Sequence, residues 1–284
     1  MMKEINFGLQ GYRLLQAPNM TLVQMMSYII QPPSGPVVVI DGGNTGDADY
    51  LRDEIMKRGG EVEAWIITHC HDDHYAALIE IMNNPGGVKI NRIYYNFPPQ
   101  EWINQTEPVY KVQTGKIFDL LHTYTDICTV VCEGDVIEPA GLKIEFLHDP
   151  AKVCNLIDPS TNNGYAVNDT SLVFRIAFPN EKTALFLGDL GPYAGDMLAE
   201  RYGKKLKSDI VQMAHHGQNG VNKNVYEYVQ PEICLWSAPM WLYDNDLGRG
   251  FNTAKYKTVI VRGWMEELGV KVHVVEGEGP AIIY

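Results

Sequence analysis

The sequence predicts an α/β protein in which two packed β-sheets are flanked by helices on their outer faces. Short apolar runs that end at Gly, Pro, Asn or Asp alternate with segments of helical spacing, and strands that follow one another directly are interspersed with helices. This mixture is typical of two packed sheets with helices outside. Hydrophobic residues make up 45% of the 284 residues, which is ample for a sizeable core. We expect one domain over residues 1–284.

The first half of the chain predicts both kinds of element. Leu51, Ile55 and Met56 have the spacing of a helix, which stops at Gly59 and Gly60. Runs of apolar and β-branched residues between turn signals indicate strands. The predicted strands are 20–30, 36–40, 62–68, 88–95 and two near 129–131 and 142–147, and the predicted helices are 49–58, 75–82 and most of 101–125.

The second half continues this mixture of elements. Two apolar runs, 171–178 and 183–187, are joined by the turn 179–182 and predict a hairpin. Helices are expected at 193–202, near 223–229 and over the amphipathic segment 252–268. Strands are expected at 210–214, 270–275 and 281–284.

Composition excludes several classes of protein. The net charge of −12 argues against a phosphate-tracking groove, so nucleic acid is an unlikely partner and a small-molecule substrate is expected. No apolar run approaches the length of a membrane span, and the N-terminus shows no signal-peptide pattern. Five irregularly spaced cysteines fit a reducing compartment. We therefore expect a cytoplasmic protein without a membrane segment.

One segment dominates the chemistry of the sequence. An apolar strand runs directly into His69, His71, Asp73 and His74, and a helix follows. Because side chains two apart in an extended chain point to one side, His69 and His71 can share a ligand site. Asp73 and His74 enter the helix and can face the opposite side of the same pocket. The spacing therefore predicts two metal ions, one held by each pair.

Further candidate ligands also follow apolar strands. Asp189 can bridge two metal ions, His148 ends another strand, and the pair His215 and His216 ends a third. Asp41 ends a fourth strand, and we expect it to orient a histidine ligand rather than to bind metal itself. Six of the eight histidines follow apolar strands, namely His69, His71, His74, His148, His215 and His216.

The order of these motifs resembles the metallo-β-lactamase-fold hydrolase superfamily, from about Met20 to the C-terminus. The resemblance implies a four-layer αββα sandwich of two mixed sheets, with a dinuclear metal site on one edge. It also implies the division of ligands: the first metal ion is bound by His69, His71 and His148, the second by Asp73, His74 and His216, and Asp189 bridges them. His216 is preferred to His215 because the ligand in related enzymes commonly precedes Gly.

The segment from Asn168 to Phe174, with the Gly-Asp and His-His-Gly motifs after it, narrows the resemblance. It is similar to the hydrolase domain of bacterial competence DNA-uptake proteins and to phosphorylcholine esterases of the superfamily. The sequence His148-Asp149-Pro150 differs from the His-Thr-Pro-Gly-His motif of the thioesterase and lactamase branches. The absence of a flavodoxin-like second domain disfavours a diiron oxygen reductase.

The leading functional prediction is a dinuclear metallohydrolase. Two cations about 3.5–4 Å apart can share a hydroxide that attacks a phosphodiester or a related phosphorylated small molecule. His215 and Asp73 are the predicted catalytic residues, with His215 contacting the substrate or donating a proton. Asn168 either hydrogen-bonds the substrate or is a turn residue that caps a strand.

Alternatives to this function remain open at this point. The same site can hydrolyse a carboxylic ester, a thioester or a lactam, or the protein can be a non-enzymatic metal-binding sensor or scaffold. The ligand set accepts two divalent ions, with zinc expected first and manganese or iron as alternatives. The region 97–125 is long for a connection and is expected to cover either the active site or a partner surface. The sequence leaves the oligomeric state open.

Overall fold

The computed structural model describes residues 2–154, 156 and 166–284. The described strands are β1 (Lys3–Ile5), β2 (Arg13–Gln16), β3 (Ser27–Gln31), β4 (Val37–Asp41), β5 (Glu61–Ile66), β6 (Lys89–Ile90), β7 (Ile93–Tyr95), β8 (Cys128–Val130), β9 (Val136–Ile137), β10 (Lys143–Phe146), β11 (Phe174–Ala177), β12 (Thr183–Phe186), β13 (Ile210–Gln212), β14 (Ile233–Trp236), β15 (Val272–Val275) and β16 (Ala281–Ile283). The described helices are α1 (Ala48–Lys57), α2 (Asp72–Asn83), α3 (Gln100–Thr106), α4 (Lys111–Thr123), α5 (Pro150–Cys154), α6 (Pro192–Tyr202), α7 (Lys223–Val229), α8 (Met240–Tyr243) and α9 (Thr258–Glu267).

The strands form two mixed sheets, which confirms the predicted fold class. The first sheet has the order β1-β16-β2-β3-β4-β5-β7-β8, with β6 paired to β5. The second has the order β15-β14-β13-β12-β11-β10-β9. Strands β4 and β5 are parallel, as are β12, β13 and β14, whereas β11 is antiparallel to both of its neighbours, β10 and β12.

Side chains that alternate along the strands build the four layers. In β4, Val38 and Ile40 pack into the core between the sheets, whereas Val37 and Val39 face helices on the outside. Helices α1, α2 and α4 cover the outer face of the first sheet, and α6, α7 and α9 cover that of the second. Both faces of the central strands are therefore buried, which explains their nearly continuous apolar sequence.

Several predicted boundaries were wrong. The strand expected at 20–30 begins only at β3, and the preceding residues form a loop. The strand expected at 88–95 is split into β6 and β7, and the long helix expected at 252–268 is reduced to α9. Strands β1, β2, β9 and β14 and helices α5 and α8 were missed.

The carboxyl ends of the parallel strands meet at one edge of the sandwich. Ile40 of β4 pairs with Ile66 of β5, and Gln212 of β13 pairs with Leu235 of β14, so the residues that follow these strands emerge side by side. The sheets approach closely at Gly188, where an added Cβ would lie 2.9 Å from the Cβ of Ser171 and 3.1 Å from that of Thr68. Only glycine fits this contact, which also has a φ of +55°.

A buried carboxyl group lies just behind this edge. Glu276 follows β15 and is buried. Burial raises its pKa well above the usual value, and His216 and Asn19 offset the increase only in part. Since the folded protein favours the protonated form, ionisation of Glu276 opposes folding as the pH rises above the usual carboxyl pKa.

We therefore predict that Glu276→Gln stabilises the metal-free protein at pH 8. The melting temperature should rise by several degrees, and the gain should shrink towards pH 4, where the carboxyl group is protonated in both folded and unfolded chains. Glu278→Gln, at an exposed position in the same turn, is the matched control and should change the melting temperature little. A loss of stability for Glu276→Gln at pH 8 would contradict the assignment.

Candidate metal centre

The connection between β5 and α2 carries four of the predicted ligands. His69 lies in the loop after β5, and His71 is the extended residue before α2, with φ −95° and ψ 146°. Asp73 and His74 lie in the first turn of α2. The extended loop and the helix therefore direct two pairs of side chains into one buried region from adjacent positions.

His69 and His71 form the first pair. Nε2 of His69 lies 3.0 Å from Nδ1 of His71. Two nitrogens bound to the same zinc ion at about 2.0–2.1 Å can lie this close together. The pair therefore has the geometry of two ligands to one metal ion.

Asp189 lies between this pair and a second group of ligands. Its Oδ2 is 3.9 Å from Nε2 of His69 and 3.3 Å from Nε2 of His216, and its Oδ1 is 3.4 Å from Nε2 of His74. Asp73 completes the second group, with Oδ2 3.2 Å from Nε2 of His216. Among the described residues, His69, His74 and Asp189 form one possible metal-binding group, and Asp73, His74 and His216 form another.

Three atoms at the centre of this cluster are buried and lack a hydrogen-bond partner: Nε2 of His74, Nε2 of His216 and Oδ1 of Asp189. Each unsatisfied buried polar atom costs about 1–3 kcal/mol. A cation would satisfy all three, and imidazole with carboxylate is a donor set that zinc, manganese and iron accept. The residues present therefore fit a metal centre.

Hydrogen bonds to Asp41 and Ser237 fix the Nδ1 atoms of His74 and His216. Nδ1 of His74 donates to Oδ2 of Asp41 at 2.7 Å, and Asp41 also accepts from the backbone N–H and the hydroxyl of Thr68, both at 2.7 Å. Nδ1 of His216 donates to the carbonyl oxygen of Ser237 at 2.7 Å. In their neutral form both rings thus present the lone pair of Nε2 to the centre of the cluster, and Asp41 lies where the sequence predicted it.

A backbone turn separates the roles of the two adjacent histidines. His215 and His216 both have a positive φ, 51° and 56°, which is uncommon outside glycine. This turn points His216 into the buried cluster and His215 towards the cavity. Nε2 of His215 lies 3.7 Å from Oδ2 of Asp189 and 3.4 Å from Nδ2 of Asn168. The geometry favours His216 as the ligand and leaves His215 beside it.

The cluster opens into a cavity of about 740 Å³. His71, Asp73, Asp189, Asn168 and His215 all line it. The region 97–125 supplies a further wall from Thr106 to Tyr110. This region therefore covers the candidate site, which was one of its two predicted roles.

His148 is not brought into the cluster, contrary to the expected ligand set. Its Nε2 contacts the carbonyl oxygen of Asp169 at 3.1 Å, and its ring borders a separate small pocket beside Glu133 and Lys152. His148 follows β10, which ends at the correct edge but is separated from β12 by β11. Two strand spacings of about 4.8 Å place it roughly 10 Å to the side. Neither of the possible metal-binding groups among the described residues includes His148; His71 is likewise outside both groups, but its Nδ1 lies 3.0 Å from Nε2 of His69.

Glu107 is a site residue that sequence reasoning missed. Nε2 of His71 donates to Oε2 of Glu107 at 2.8 Å, and the Glu107 side chain is buried. A carboxylate that accepts from the far nitrogen of a ligating histidine fixes its tautomer and orientation. Glu107 stands 36 residues after His71, outside any recognisable motif, so the local sequence gives no signal for it.

The charges of the cluster depend on one another. Burial alone would lower the pKa of His216, but Asp189 and Asp73 outweigh it and raise the pKa to about 10. His74 shows the same balance, and its pKa lies well above the usual value. Burial would raise the pKa of Asp189, but His216, His74 and His215 hold it well below its usual range. Without a cation the carboxylates retain protons on these rings, and a divalent cation would replace them.

We predict that Glu107→Ala weakens metal binding about 10- to 100-fold, because His71 loses the acceptor that fixes its orientation. A competition titration with a chromophoric chelator measures the affinity directly. Glu107→Gln should retain part of it, since the amide oxygen can still accept the hydrogen bond. Glu101→Ala, an exposed glutamate in α3, is the control. Unchanged zinc affinity in Glu107→Ala would show that Glu107 does not position His71.

No helix among the described residues is both long and apolar enough to cross a bilayer. No curated protein sequence matches this chain. Two of the solved structures that share its fold illustrate the likeness. YhfI from Bacillus subtilis, a metallo-beta-lactamase fold protein, has a TM-score of 0.54 at 13% identity, covering 93% of this chain and 96% of that chain. CmlA, a diiron β-hydroxylase from Streptomyces venezuelae, has a TM-score of 0.55 at 12% identity, covering 95% of this chain.

These likenesses show the fold alone, because both identities are low. This chain spans 53% of the length of CmlA. The sequence model of the metallo-beta-lactamase superfamily matches residues 20–230, which is most of the chain and includes every residue of the cluster. The chain belongs to the metallo-beta-lactamase superfamily.

Proposed function

We propose that this protein is a dinuclear metal-dependent hydrolase of phosphodiesters or related phosphorylated small molecules. The observation that carries the proposal is the set of buried, unpartnered atoms of His74, His216 and Asp189 at the edge of an open cavity. A purely structural ion is normally enclosed by protein ligands, whereas a catalytic ion keeps a position open to substrate. The cavity beside the cluster favours an enzyme over a sensor or scaffold.

The residues divide between two ions. His69 and His71 would hold the first, Asp73, His74 and His216 the second, and Asp189 would contact both. When bound, divalent cations lower the pKa of coordinated water to about 7 and neutralise charge on phosphoryl oxygens. Zinc is the first expectation, and manganese or iron suits the same donors.

The protein's own groups would manage the substrate and the proton. In the reaction, water oxygen bonds to phosphorus, the bond from phosphorus to the leaving oxygen breaks, and that oxygen takes a proton. His215 borders the cavity next to Asp189 and is placed to deliver the proton. The amide of Asn168 lies beside His215 and would orient either this ring or the substrate.

The charges around the cavity favour a substrate with little negative charge. None of the described residues that line it is Lys or Arg, whereas Asp72, Asp73, Glu107 and Asp189 are acidic. Only the metal ions would therefore balance the negative charge of the substrate. This arrangement suits a monoanionic diester better than a dianionic monoester or a nucleic acid. The same set of lining residues suits neutral esters, thioesters and lactams, which form the second candidate class of substrate.

We predict that the zinc- or manganese-loaded protein cleaves bis(p-nitrophenyl) phosphate at least tenfold more efficiently than p-nitrophenyl phosphate. Release of p-nitrophenol measures both, and p-nitrophenyl acetate tests the ester class. Asp189→Asn should lower kcat/KM by about 10³-fold or more, because it removes the carboxylate between the ions. Asp53→Asn, at an exposed position on α1, is the control.

Two outcomes would count against this function. Faster cleavage of acetate than of diester in both metal forms would move the assignment to carboxylic esters. Metal-independent turnover, or full activity in Asp189→Asn, would contradict the dinuclear site.

A further inference from the structure

Two exposed apolar surfaces flank the opening of the candidate site. One is formed by Val23, in the connection between β2 and β3, and the other by Pro108, Val109 and Tyr110, between α3 and α4. All four line the cavity that contains His71 and Asp189. We call these four residues the apolar mouth.

Valine side chains of the apolar mouth are largely exposed to solvent. Val109 is 78% exposed and Val23 is 55% exposed, and the neighbouring Leu22 is 87% exposed. Scattered exposed apolar residues are ordinary, but a concentration of them around one cavity marks a site where apolar surface is covered by a ligand. The cavity volume of about 740 Å³ lies within the range of small-molecule sites, about 300–1,000 Å³.

Polar contacts hold the first wall in place. The indole N–H of Trp241 donates to the carbonyl oxygen of Leu22 at 2.9 Å, and the amide of Asn44 donates to that of Gln24 at 3.0 Å. These contacts fix the backbone on both sides of Val23. Val23 therefore lines the cavity from an anchored loop.

The second wall contacts the candidate metal ligand His71. Glu107 accepts from His71, and the backbone N–H of Tyr110 donates to the carbonyl oxygen of Glu107 at 3.0 Å. The Tyr110 ring lies 5.2 Å from the His71 ring, centre to centre. An apolar group on this wall would thus be held at a fixed distance from the scissile bond.

We propose that the substrate carries an alkyl or aryl group, attached to the phosphoryl or acyl centre, which binds in the apolar mouth. This inference rests on the proposed function and specifies its substrate class: an amphiphilic ester or diester with at most one negative charge. Val23, Pro108 and Val109 present hydrocarbon to the cavity, and the absence of Lys and Arg from its described lining disfavours a second anionic group on the substrate. The charged centre would remain with the ions, and the apolar group would displace water from Val23 and Val109.

Binding of uncleavable ligands tests the apolar mouth without requiring turnover. Methyl(n-alkyl)phosphinates carry one negative charge and no ester bond, and titration of the zinc-loaded full chain by calorimetry gives their affinities from methyl to hexyl. Full burial of each methylene, at about 0.8 kcal/mol, should strengthen binding about fourfold. A parallel series of n-alkyl p-nitrophenyl phosphates should show the same trend in kcat/KM.

Variants locate the effect. Val109→Asp and Val23→Asp place a carboxylate in the mouth and should flatten the dependence on chain length. Val136→Asp alters a valine on β9 that is 45% exposed and lies outside the cavity lining, so the dependence should remain. Val109→Leu should preserve or steepen it.

The outcomes separate this inference from the proposed function. Equal affinity for all phosphinates, or a chain-length dependence that survives in both Asp variants, would overturn the apolar mouth even if diesters are cleaved. Absence of diester cleavage with an intact phosphinate series would refute the phosphodiesterase and leave the apolar mouth supported. Dissociation of a dimer by Val109→Asp, or sedimentation of wild-type protein with phosphatidylcholine vesicles, would instead assign these side chains to a second copy or a bilayer.

Discussion

The site depends on the contacts between the carboxylate of Asp189 and the surrounding histidines. The carboxylate lies between His69 on one side and His74 and His216 on the other, all within 3.9 Å. Buried imidazoles and carboxylates at this spacing are costly unless protons or cations balance them. The high pKa of His216 and the low pKa of Asp189 express the same requirement. A divalent cation meets it without trapping protons on the rings.

The two sheets deliver this arrangement because their parallel strands end at one edge. Asp41 ends β4 and Thr68 follows β5 in the first sheet, and Asp189 and His216 follow β12 and β13 in the second. Gly188 lets the sheets approach closely enough for the carboxylate to reach both sets of histidines. The region 97–125 then adds Glu107 and the outer wall, so one segment both positions a ligand and shapes the opening.

How far the sequence could predict the site depended on the separation along the chain between the residues that contact one another. His69, His71, Asp73 and His74 are local, and their spacing indicates a shared pocket directly. His148 shows the limit of the strand-end argument: it follows a strand at the correct edge, but lateral strand order decides which ends meet, and a single sequence does not show that order. Glu107 depends on a tertiary contact across 36 residues, which no local pattern shows, and the helix expected at 252–268 begins only at Thr258.

The central claim is that two ions are bound on either side of Asp189. Crystals of the zinc-loaded protein, with anomalous scattering recorded above and below the zinc absorption edge, test it most directly. The account predicts two zinc peaks about 3.5–4 Å apart, one beside His69 and His71 and the other beside Asp73, His74 and His216. A single peak at full zinc occupancy, or zinc bound away from Asp189, would contradict it.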